Sequence, residues 1–328
     1  MYSMMIGTLI SISSSTWMGM WMGLEINLLS IIPLMNNKNN MFSSEASMKY
    51  FITQALASTM LMFSIILMSM NFNPMWMLDN HMMIMFNSAL LTKMGAAPFH
   101  FWFPEVMEGL NWVNCFIILT WQKIAPMILV MYNIYYPIFF SMIIIFSMLI
   151  SGVMGLNQIS LRKILAYSSI NHIGWMISSM FFMETIWMYY FLIYMIITIN
   201  VVSMFKIMNI FFIKQLISSL NNNIIIKLIF IMNFMSLGGL PPFLGFMPKW
   251  LTIQSMIHEN HLGLALIMVI MTLLTLFFYI RLTFSTLMFN NEELNYQIYY
   301  NKNLFLIISF NITTIMGLIT SIISFNFL

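Results

Sequence analysis

Long apolar segments separated by short polar breaks run through almost the whole chain, and they limit it to one class of fold. A helix that crosses a bilayer needs about 20 apolar residues, and within lipid only helices and closed barrels satisfy their own backbone hydrogen bonds. The segments have this length, so the sequence predicts an all-α, polytopic membrane protein. They lie near residues 44–70, 81–103, 112–132, 138–156, 163–181, 186–212, 224–257, 263–289 and 304–326.

Residues 3–35 form a further apolar segment that is long for one membrane helix and short for two. Gly19 and Gly23 are candidates for a turn between two short helices. We favour two helices here, which brings the predicted total to about eleven. Of the 328 residues, 61% are hydrophobic and only 6% are charged, whereas soluble domains carry about 25% charged residues. We therefore expect no soluble domain.

The composition also argues against several kinds of function. The net charge of +3 is small and the basic residues are scattered, so no nucleic-acid surface is expected. The single cysteine, Cys115, excludes an internal disulfide and an iron–sulfur cluster held by this chain's own thiolates. Neither G-x-x-x-x-G-K-[ST] nor G-x-G-x-x-G is present, so ATP or nicotinamide binding by this chain is not expected.

The basic residues other than Lys93, Lys123 and Lys249 all fall on or toward one predicted side of the membrane. The positive-inside rule makes that side cytoplasm-like, or matrix-like in a mitochondrion. With an odd number of spans, the N-terminus then lies inside and the C-terminus outside. The absence of a cationic leader suggests that the chain is made inside an organelle. The residues are Lys38, Lys49, Arg162, Lys163, Lys206, Lys214, Lys227, Arg281 and Lys302.

Three further lysines, Lys93, Lys123 and Lys249, lie inside apolar segments. A charge at bilayer depth costs roughly 2.5 to 3.5 kcal/mol on insertion scales, so charged residues within membrane spans usually have a functional role. Glu25, the only acid in the first 44 residues, is a candidate partner. A lysine that is paired in one state and unpaired in another is a proton switch. We predict a proton relay of these four residues; the alternative is that the lysines snorkel to the membrane surface.

Histidines are less informative than the lysines. His172 lies in a predicted span with polar neighbours, and it is either a relay between lysines or a hydrogen-bonded packing histidine. His258, Glu259 and His261 lie in a turn and are expected to be solvated, so no metal site is predicted. No nucleophile–base pattern appears at usable spacing.

Two segments match at a fixed spacing and predict two broken helices. Residues 95–105 read GAAPFHFWFPE, and residues 239–249 read GLPPFLGFMPK. Proline interrupts a helix, and broken helices at matching positions of two halves point to a transporter-type ion site. A chance match of two kinks is the alternative. We predict one membrane domain with an inverted five-helix repeat: a first repeat at about 3–132, a second at about 137–289, and a C-terminal helix at about 304–326.

Five segments together resemble a known family. The chain is similar to the mitochondrially encoded chain 2 family of NADH–ubiquinone oxidoreductase, respiratory complex I, along nearly its whole length. The segments are WMGLEINLLSIIP (21–33), KMGAAPFHFWFPEV (93–106), TWQKIAPM (120–127), SSINHIGWM (168–176) and GGLPPFLGFMPKW (238–250).

The resemblance implies an antiporter-like membrane-arm subunit in the mitochondrial inner membrane, with Glu25, Lys93, Lys123 and Lys249 in the family's charged positions. It also implies that this chain holds no cofactor, because NADH, FMN, iron–sulfur clusters and ubiquinone are used by partner subunits. The expected neighbours are chain 4L on one flank and chain 4 on the other, with accessory subunits and membrane lipids. Two other hypotheses stay open. The chain is either a stand-alone cation/proton antiporter or a mainly structural scaffold that transmits charge without passing net protons.

Overall fold

The computed structural model describes residues 1–36, 40–70, 76–221, 224–288 and 311–312. Within these ranges the named elements are all helices, and an isolated bridge between Ser160 and Phe212 is the β-type pairing. The predicted all-α class is confirmed. The helices are α1 (Tyr2–Ser13), α2 (Trp17–Met35), α3 (Met41–Met70), α4 (Trp76–Met94), α5 (Trp102–Gly109), α6 (Trp112–Leu119), α7 (Trp121–Met131), α8 (Pro137–Gly155), α9 (Leu161–Phe182), α10 (Glu184–Met208), α11 (Ile213–Leu220), α12 (Ile224–Gly238), α13 (Phe246–His258) and α14 (Leu262–Met288).

Several of these helices are long and apolar enough to cross a membrane, which agrees with a polytopic protein. The predicted C-terminal span at 304–326 lies outside the described residues apart from Asn311 and Ile312. The total of about eleven spans therefore stays a prediction. In the described part of the chain the candidates are Trp17–Met35, Met41–Met70, Trp112–Met131 (α6 and α7 together), Pro137–Gly155, Glu184–Met208 and Leu262–Met288.

The chain divides into two compact units. The first comprises Met1–Ser147 and the second Met148–Leu328, so the boundary falls within α8. Each unit contains one of the proline-rich segments. Lys93 and Lys123 lie in the first unit, and Lys249 lies in the second.

Residues 3–35 do form two helices, α1 and α2, but the turn between them lies at residues 14–16. The suggested turn at Gly19 and Gly23 is wrong, because both glycines lie inside α2. Thr16 begins α2 as its N-cap, and its hydroxyl accepts a hydrogen bond from Gly19 N at 3.3 Å. A threonine cap satisfies one of the backbone donors that a helix start leaves free, and this places the start before the glycines.

Gly23 instead permits α1 and α2 to pack closely. A Cβ at Gly23 would lie 2.5 Å from Ser11 N and 2.8 Å from Gly7 O. A Cβ at Gly7 would likewise lie 2.9 Å from Asn27 N. The two helices touch backbone to backbone, which fixes α2, the helix that carries Glu25, against α1.

Both proline-rich segments interrupt a helix as predicted. In the first unit α4 ends before Gly95 and α5 begins at Trp102; in the second unit α12 ends before Gly239 and α13 begins at Phe246. Both glycines have positive φ, +75° and +77°, which disfavours any other residue.

The helix ends before the two breaks use the same hydrogen-bond pattern. After α4, Ala96 N donates to Leu91 O at 3.1 Å and Gly95 N donates to Thr92 O at 3.2 Å. After α12, Leu240 N donates to Met235 O at 3.3 Å and Gly239 N donates to Ser236 O at 3.1 Å. This is the Schellman motif, in which a left-handed glycine turns the chain back over the last carbonyls.

A third interruption, which the sequence did not predict, lies within the span at 112–132. Helix α6 ends at Leu119 and α7 begins at Trp121, with Thr120 between them at φ −118° and ψ −70°. The Thr120 hydroxyl donates to Phe116 O at 2.8 Å, a type of bond that bends helices. Pro126, inside α7, removes a further backbone donor. The distortion lies immediately before Lys123.

In the second unit α9 is the most deeply packed helix. Its residues from Ile164 to Met180 are all buried, as expected of a helix enclosed by other helices. Helix α11 was not predicted, because it lies between the predicted spans 186–212 and 224–257. It is short, and it buries Leu216 and Leu220 while Lys214 is exposed.

Candidate functional site

Lys93 lies in the last turn of α4, directly before the first break, and its side chain is buried. Its Nζ atom has no hydrogen-bond partner among the described residues, and neither has Oε1 of Glu25 on α2. The two side chains interact electrostatically. The carbonyl ends of α4 also favour a cation at this position, because the helix dipole places partial negative charge there. Lys93 is thus a buried cation stabilised by charge at a distance.

A small cavity lies beside Lys93. Its volume is about 10 Å³, close to the roughly 10–15 Å³ that one water molecule requires. A buried water also needs two to four polar partners, and the cavity lining supplies them from α2, α3, α4 and α7. The lining residues are Leu24, Asn27, Leu28, Tyr50, Gln54, Lys93, Gln122 and Pro126.

Asn27 and Gln122 close one side of this cavity with a reciprocal pair of hydrogen bonds. Asn27 Nδ2 donates to Gln122 Oε1 at 3.1 Å, and Gln122 Nε2 donates to Asn27 Oδ1 at 3.0 Å. The Tyr50 hydroxyl lies 3.4 Å from the same Gln122 oxygen. Gln54 Nε2 reaches the backbone carbonyl of Lys93 at 3.5 Å. These bonds connect the three helices that surround the end of α4.

Lys123 follows Gln122 on α7 and is almost fully enclosed, with 1% of its surface exposed. Its Nζ atom lies 5.6 Å from the centre of the Phe103 ring on α5, within the range of a cation–π contact. The first unit therefore brings Glu25, Lys93 and Lys123 into one group of packed helices. The snorkelling alternative does not fit either lysine, because their side chains are enclosed by the protein.

Lys249 lies in the first turn of α13, after the second break, and is buried. Its Nζ atom donates to Gly238 O at 2.9 Å and lies 3.5 Å from Leu237 O. These carbonyls end α12, so the ammonium binds the negative end of the preceding half-helix. The Trp175 ring, whose centre is 5.9 Å away, covers the ammonium from α9.

His172 also lies on α9 and is buried. Its Nδ1 atom is 2.9 Å from the Tyr190 hydroxyl on α10, and its ring packs 5.1 Å from the Tyr194 ring. Residues three apart share one face of a helix, so His172 and Trp175 point the same way. The second unit therefore places His172 one helical turn from the aromatic ring that covers Lys249.

The two breaks carry their charges in opposite arrangements. Glu105 lies ten residues after Gly95, and Lys249 lies ten residues after Gly239. Glu105 is exposed and bonds Lys49 Nζ at 3.0 Å, and Lys49 also contacts Glu45 at 3.0 Å. In the first unit the buried cation therefore precedes the break, and in the second it follows it.

The profile of the NADH:quinone oxidoreductase/Mrp antiporter, TM family matches residues 14–275. The chain is 51% identical to NADH-ubiquinone oxidoreductase chain 2 of Anopheles gambiae over 95% of its length and 93% of that protein. It is 48% identical to the Locusta migratoria protein of the same name over 89% of its length and 85% of that protein.

The chain belongs to the NADH-ubiquinone oxidoreductase chain 2 family. Its fold matches a chain of respiratory complex I from Thermus thermophilus with a TM-score of 0.83 and 20% identity. That match covers 96% of this chain and 75% of the other. The predicted family resemblance is confirmed, and with it the antiporter-like fold.

Within this chain 2 family member, sequence reasoning missed the polar residues that surround Lys93. Asn27, Tyr50, Gln54 and Gln122 were not singled out, although each is a polar residue within an apolar segment. Buried polar groups in lipid require partners, so a search for polar residues within the apolar segments finds them. Their pairing depends on how α2, α3 and α7 pack, which the sequence pattern does not reveal.

Proposed function

We propose that Glu25, Lys93, Lys123, His172 and Lys249 form a proton relay. As a member of the chain 2 family, the protein is an antiporter-like membrane subunit of H+-translocating NADH:ubiquinone oxidoreductase. Quinone reduction occurs on neighbouring subunits, and the relay uses its energy to move protons. No redox chemistry takes place on this chain.

One observation carries the proposal: Lys93 Nζ is buried, lacks a hydrogen-bond partner among the described residues, and borders a polar cavity of about 10 Å³. A buried ammonium without a hydrogen-bond partner is costly. A small change in the position of Glu25 therefore alters how readily Lys93 holds its proton. Water in the cavity would give that proton a first acceptor. Lys123 follows the cavity-lining residue Gln122 directly on α7.

In the second unit Lys249 is the proposed proton carrier, but its contacts in this structure differ from those of Lys93. Lys249 donates to the last carbonyls of α12, so its charged form is already stabilised there. His172 is the nearest titratable relay candidate along α9, and its hydrogen bond to the Tyr190 hydroxyl fixes the orientation of its ring. Within the proposed relay, the ammonium of Lys93 is therefore poorly stabilised and the ammonium of Lys249 is well stabilised.

The setting follows from the family. The protein is a multi-pass subunit of the inner mitochondrial membrane and works within a multi-subunit complex. We propose that the N-terminus faces the matrix and the C-terminus the intermembrane space, since the basic residues other than Lys93, Lys123 and Lys249 fall on or toward one predicted side. Chain 4L and chain 4 are its proposed neighbours, together with accessory subunits and lipids. NADH, FMN, iron–sulfur clusters and ubiquinone are bound by partner subunits.

The test is to change Lys93→Met at the matching position of an expressible relative and to reconstitute the intact complex in vesicles. Quinone reductase activity and proton uptake are measured together, so that protons moved per electron can be calculated. We expect this ratio to fall, because methionine keeps the packing of lysine but cannot carry a proton. Lys49→Met is the matched control, since Lys49 is an exposed lysine of the same unit.

The relay proposal fails if Lys93→Met keeps both the quinone reductase activity and the proton ratio of the unmodified complex. A complex that assembles and reduces quinone, but in which no single lysine alters the ratio, favours the scaffold reading. A stand-alone antiporter would instead exchange cations for protons when the chain is reconstituted alone.

A further inference from the structure

A buried polar contact joins α9 to α14 inside the second unit. Asn171 of α9 donates from Nδ2 to Thr275 Oγ1 of α14 at 3.1 Å, and both side chains are buried. The Thr275 hydroxyl itself donates to Thr272 O, one turn earlier on α14, at 2.9 Å. A hydroxyl has a single proton to donate. Because Thr275 already uses that proton within its own helix, it can only accept from Asn171.

This contact fixes the orientation of the Asn171 amide. A reversed amide would place Oδ1 against Thr275 Oγ1, so that two oxygens would face each other with no proton between them. Oδ1 is therefore directed away from Thr275, and it has no hydrogen-bond partner among the described residues. A buried amide oxygen without a donor is costly, and the hydrocarbon core of a membrane supplies no bulk water to satisfy it.

Trp175 lies one turn further along α9 and carries the complementary group. Its indole Nε1 atom is a donor only. The side chain is buried, and Nε1 has no hydrogen-bond partner in the described part of the chain. Residues four apart share one face of a helix, with Cβ atoms about 5–6 Å apart. One face of α9 therefore carries an acceptor, Asn171 Oδ1, and a donor, Trp175 Nε1, that are both buried and both unsatisfied.

These two groups suit one small neutral molecule that can both accept and donate a hydrogen bond. A water bonded to both groups spans about 5–6 Å, twice the ordinary hydrogen-bond length, which is close to the spacing of the two positions on α9. The indole N–H disfavours a cation at the same place, and the amide oxygen disfavours an anion. Buried water of this kind normally satisfies polar groups that lack a protein partner.

The orientation of the Trp175 ring matters because this ring covers Lys249. The ring centre lies 5.9 Å from Lys249 Nζ, at the outer limit of about 6 Å for a cation–π contact. A small rotation of the indole would therefore end the contact. The second side-chain torsion of tryptophan is broad, so the ring depends on its surroundings for a fixed orientation. A hydrogen bond at Nε1 supplies such a restraint.

We propose that one buried water molecule bridges Asn171 Oδ1 and Trp175 Nε1 and holds the indole ring over Lys249. Asn171 and Thr275 are then positioning residues: Thr275 orients the amide, the amide orients the water, and the water orients the indole. The water site stands without the proton relay, whereas the importance of holding the ring over Lys249 rests on that proposed function.

The test is cryo-electron microscopy of the intact complex from an expressible relative with the same residues at the matching positions, at a resolution that shows ordered water. We expect one water density within about 2.7–3.2 Å of both Asn171 Oδ1 and Trp175 Nε1. Thr275→Val keeps the shape of threonine but removes the acceptor that orients Asn171. In this variant we expect the water density to be lost and the ring centre of Trp175 to move beyond about 6 Å from Lys249 Nζ.

Thr275→Ser keeps the hydroxyl and should retain both the water density and the ring position. Thr283→Val is the matched control, because Thr283 is a buried threonine of α14 whose hydroxyl donates to Ile280 O at 2.9 Å within its own helix. It should change neither the density nor the ring position.

Two results would overturn the inference. The first is a map of the unmodified complex that shows no water between the two atoms, or a protein group bonded to either of them. The second is an unchanged water and ring position in Thr275→Val. Lys249→Met tests the relay separately: an unchanged proton ratio with the water density still present would overturn the relay and support the water site.

Discussion

Asn27 and Gln122, 95 residues apart in sequence, exchange two side-chain hydrogen bonds of 3.1 and 3.0 Å in the first unit. Asn27 lies two residues after Glu25, and Gln122 immediately precedes Lys123. The amide pair therefore joins the helix of the acid to the helix of a buried lysine. Neither amide can carry a proton at physiological pH, so the role of the pair is to hold these helices in register.

Replacing one member of the Asn27–Gln122 pair should lower the stability of the complex more than replacing both members. Asn27→Leu leaves the buried Gln122 amide without its partner, at a cost of about 1–3 kcal/mol, whereas two apolar groups together approach neutrality. We expect Asn27→Leu and Gln122→Leu each to lower the melting temperature of the assembled complex, and the double variant to recover part of it. A double-mutant cycle measures the coupling. Strictly additive losses would show that the two amides do not act as a pair.

The glycines that end the two interrupted helices should tolerate no side chain. Gly239→Ala places a Cβ 2.8 Å from Lys249 Cδ and keeps a positive φ. Left-handed backbone costs a non-glycine residue roughly 1–2 kcal/mol before any clash. Gly95→Ala, at φ +75°, meets Phe103 Cβ at 3.2 Å. We expect both variants to reduce the amount of assembled complex on native gels.

Gly263 in α14 is the matched control for these substitutions. A Cβ there has no neighbour within 4 Å, and alanine is the better helix former by about 1 kcal/mol. Gly263→Ala should therefore assemble normally. Equal losses at Gly239 and Gly263 would contradict the role assigned to the left-handed turns.

The sequence predicted the broken helices well because proline and glycine act locally. A proline removes a helical donor wherever the chain folds, and a glycine three residues earlier supplies the left-handed turn. The start of α2 was placed wrongly for a related reason: glycine permits a turn but does not require one. At Gly23 it serves a close helix contact instead, and such contacts depend on tertiary packing.

The candidate site was predictable in its charged residues but not in its neutral ones. Lys93, Lys123 and Lys249 stand out because charge is rare and costly in apolar segments. The partners of Lys249 are backbone carbonyls, which any residue can supply, so no sequence pattern marks them. The pairing of Asn27 with Gln122 depends on the packing of distant helices and is likewise absent from local patterns.

Glu105 and Lys249 each lie ten residues after the glycine of their break, Gly95 and Gly239. Neutralising the two side chains should nevertheless affect proton transport differently. Exposed ion pairs such as Glu105–Lys49 contribute roughly 0–1 kcal/mol, and Lys49 keeps Glu45 as a second partner. Glu105→Gln should therefore leave both stability and proton transport nearly unchanged.

Lys249→Met should preserve assembly but lower proton transport. Removing a buried charge also removes its desolvation cost, which offsets the lost bond to Gly238 O. We expect a stability change within about 1 kcal/mol, with fewer protons moved per electron. The measurement is the melting temperature of the complex together with its proton ratio. Loss of assembly with an unchanged ratio in the remaining complex would make Lys249 a structural residue.

His172 offers a way to separate relay from packing, because its contact with Tyr190 can be removed from either side. Tyr190→Phe removes the 2.9 Å hydrogen bond and keeps the imidazole; we expect a loss of about 1 kcal/mol in stability and normal proton transport. His172→Gln keeps a polar side chain but removes the titratable group, so transport should fall. Proton uptake per electron is compared in reconstituted vesicles. If both variants lose stability alike and neither alters this ratio, His172 packs and does not relay, and the path through α9 must be abandoned.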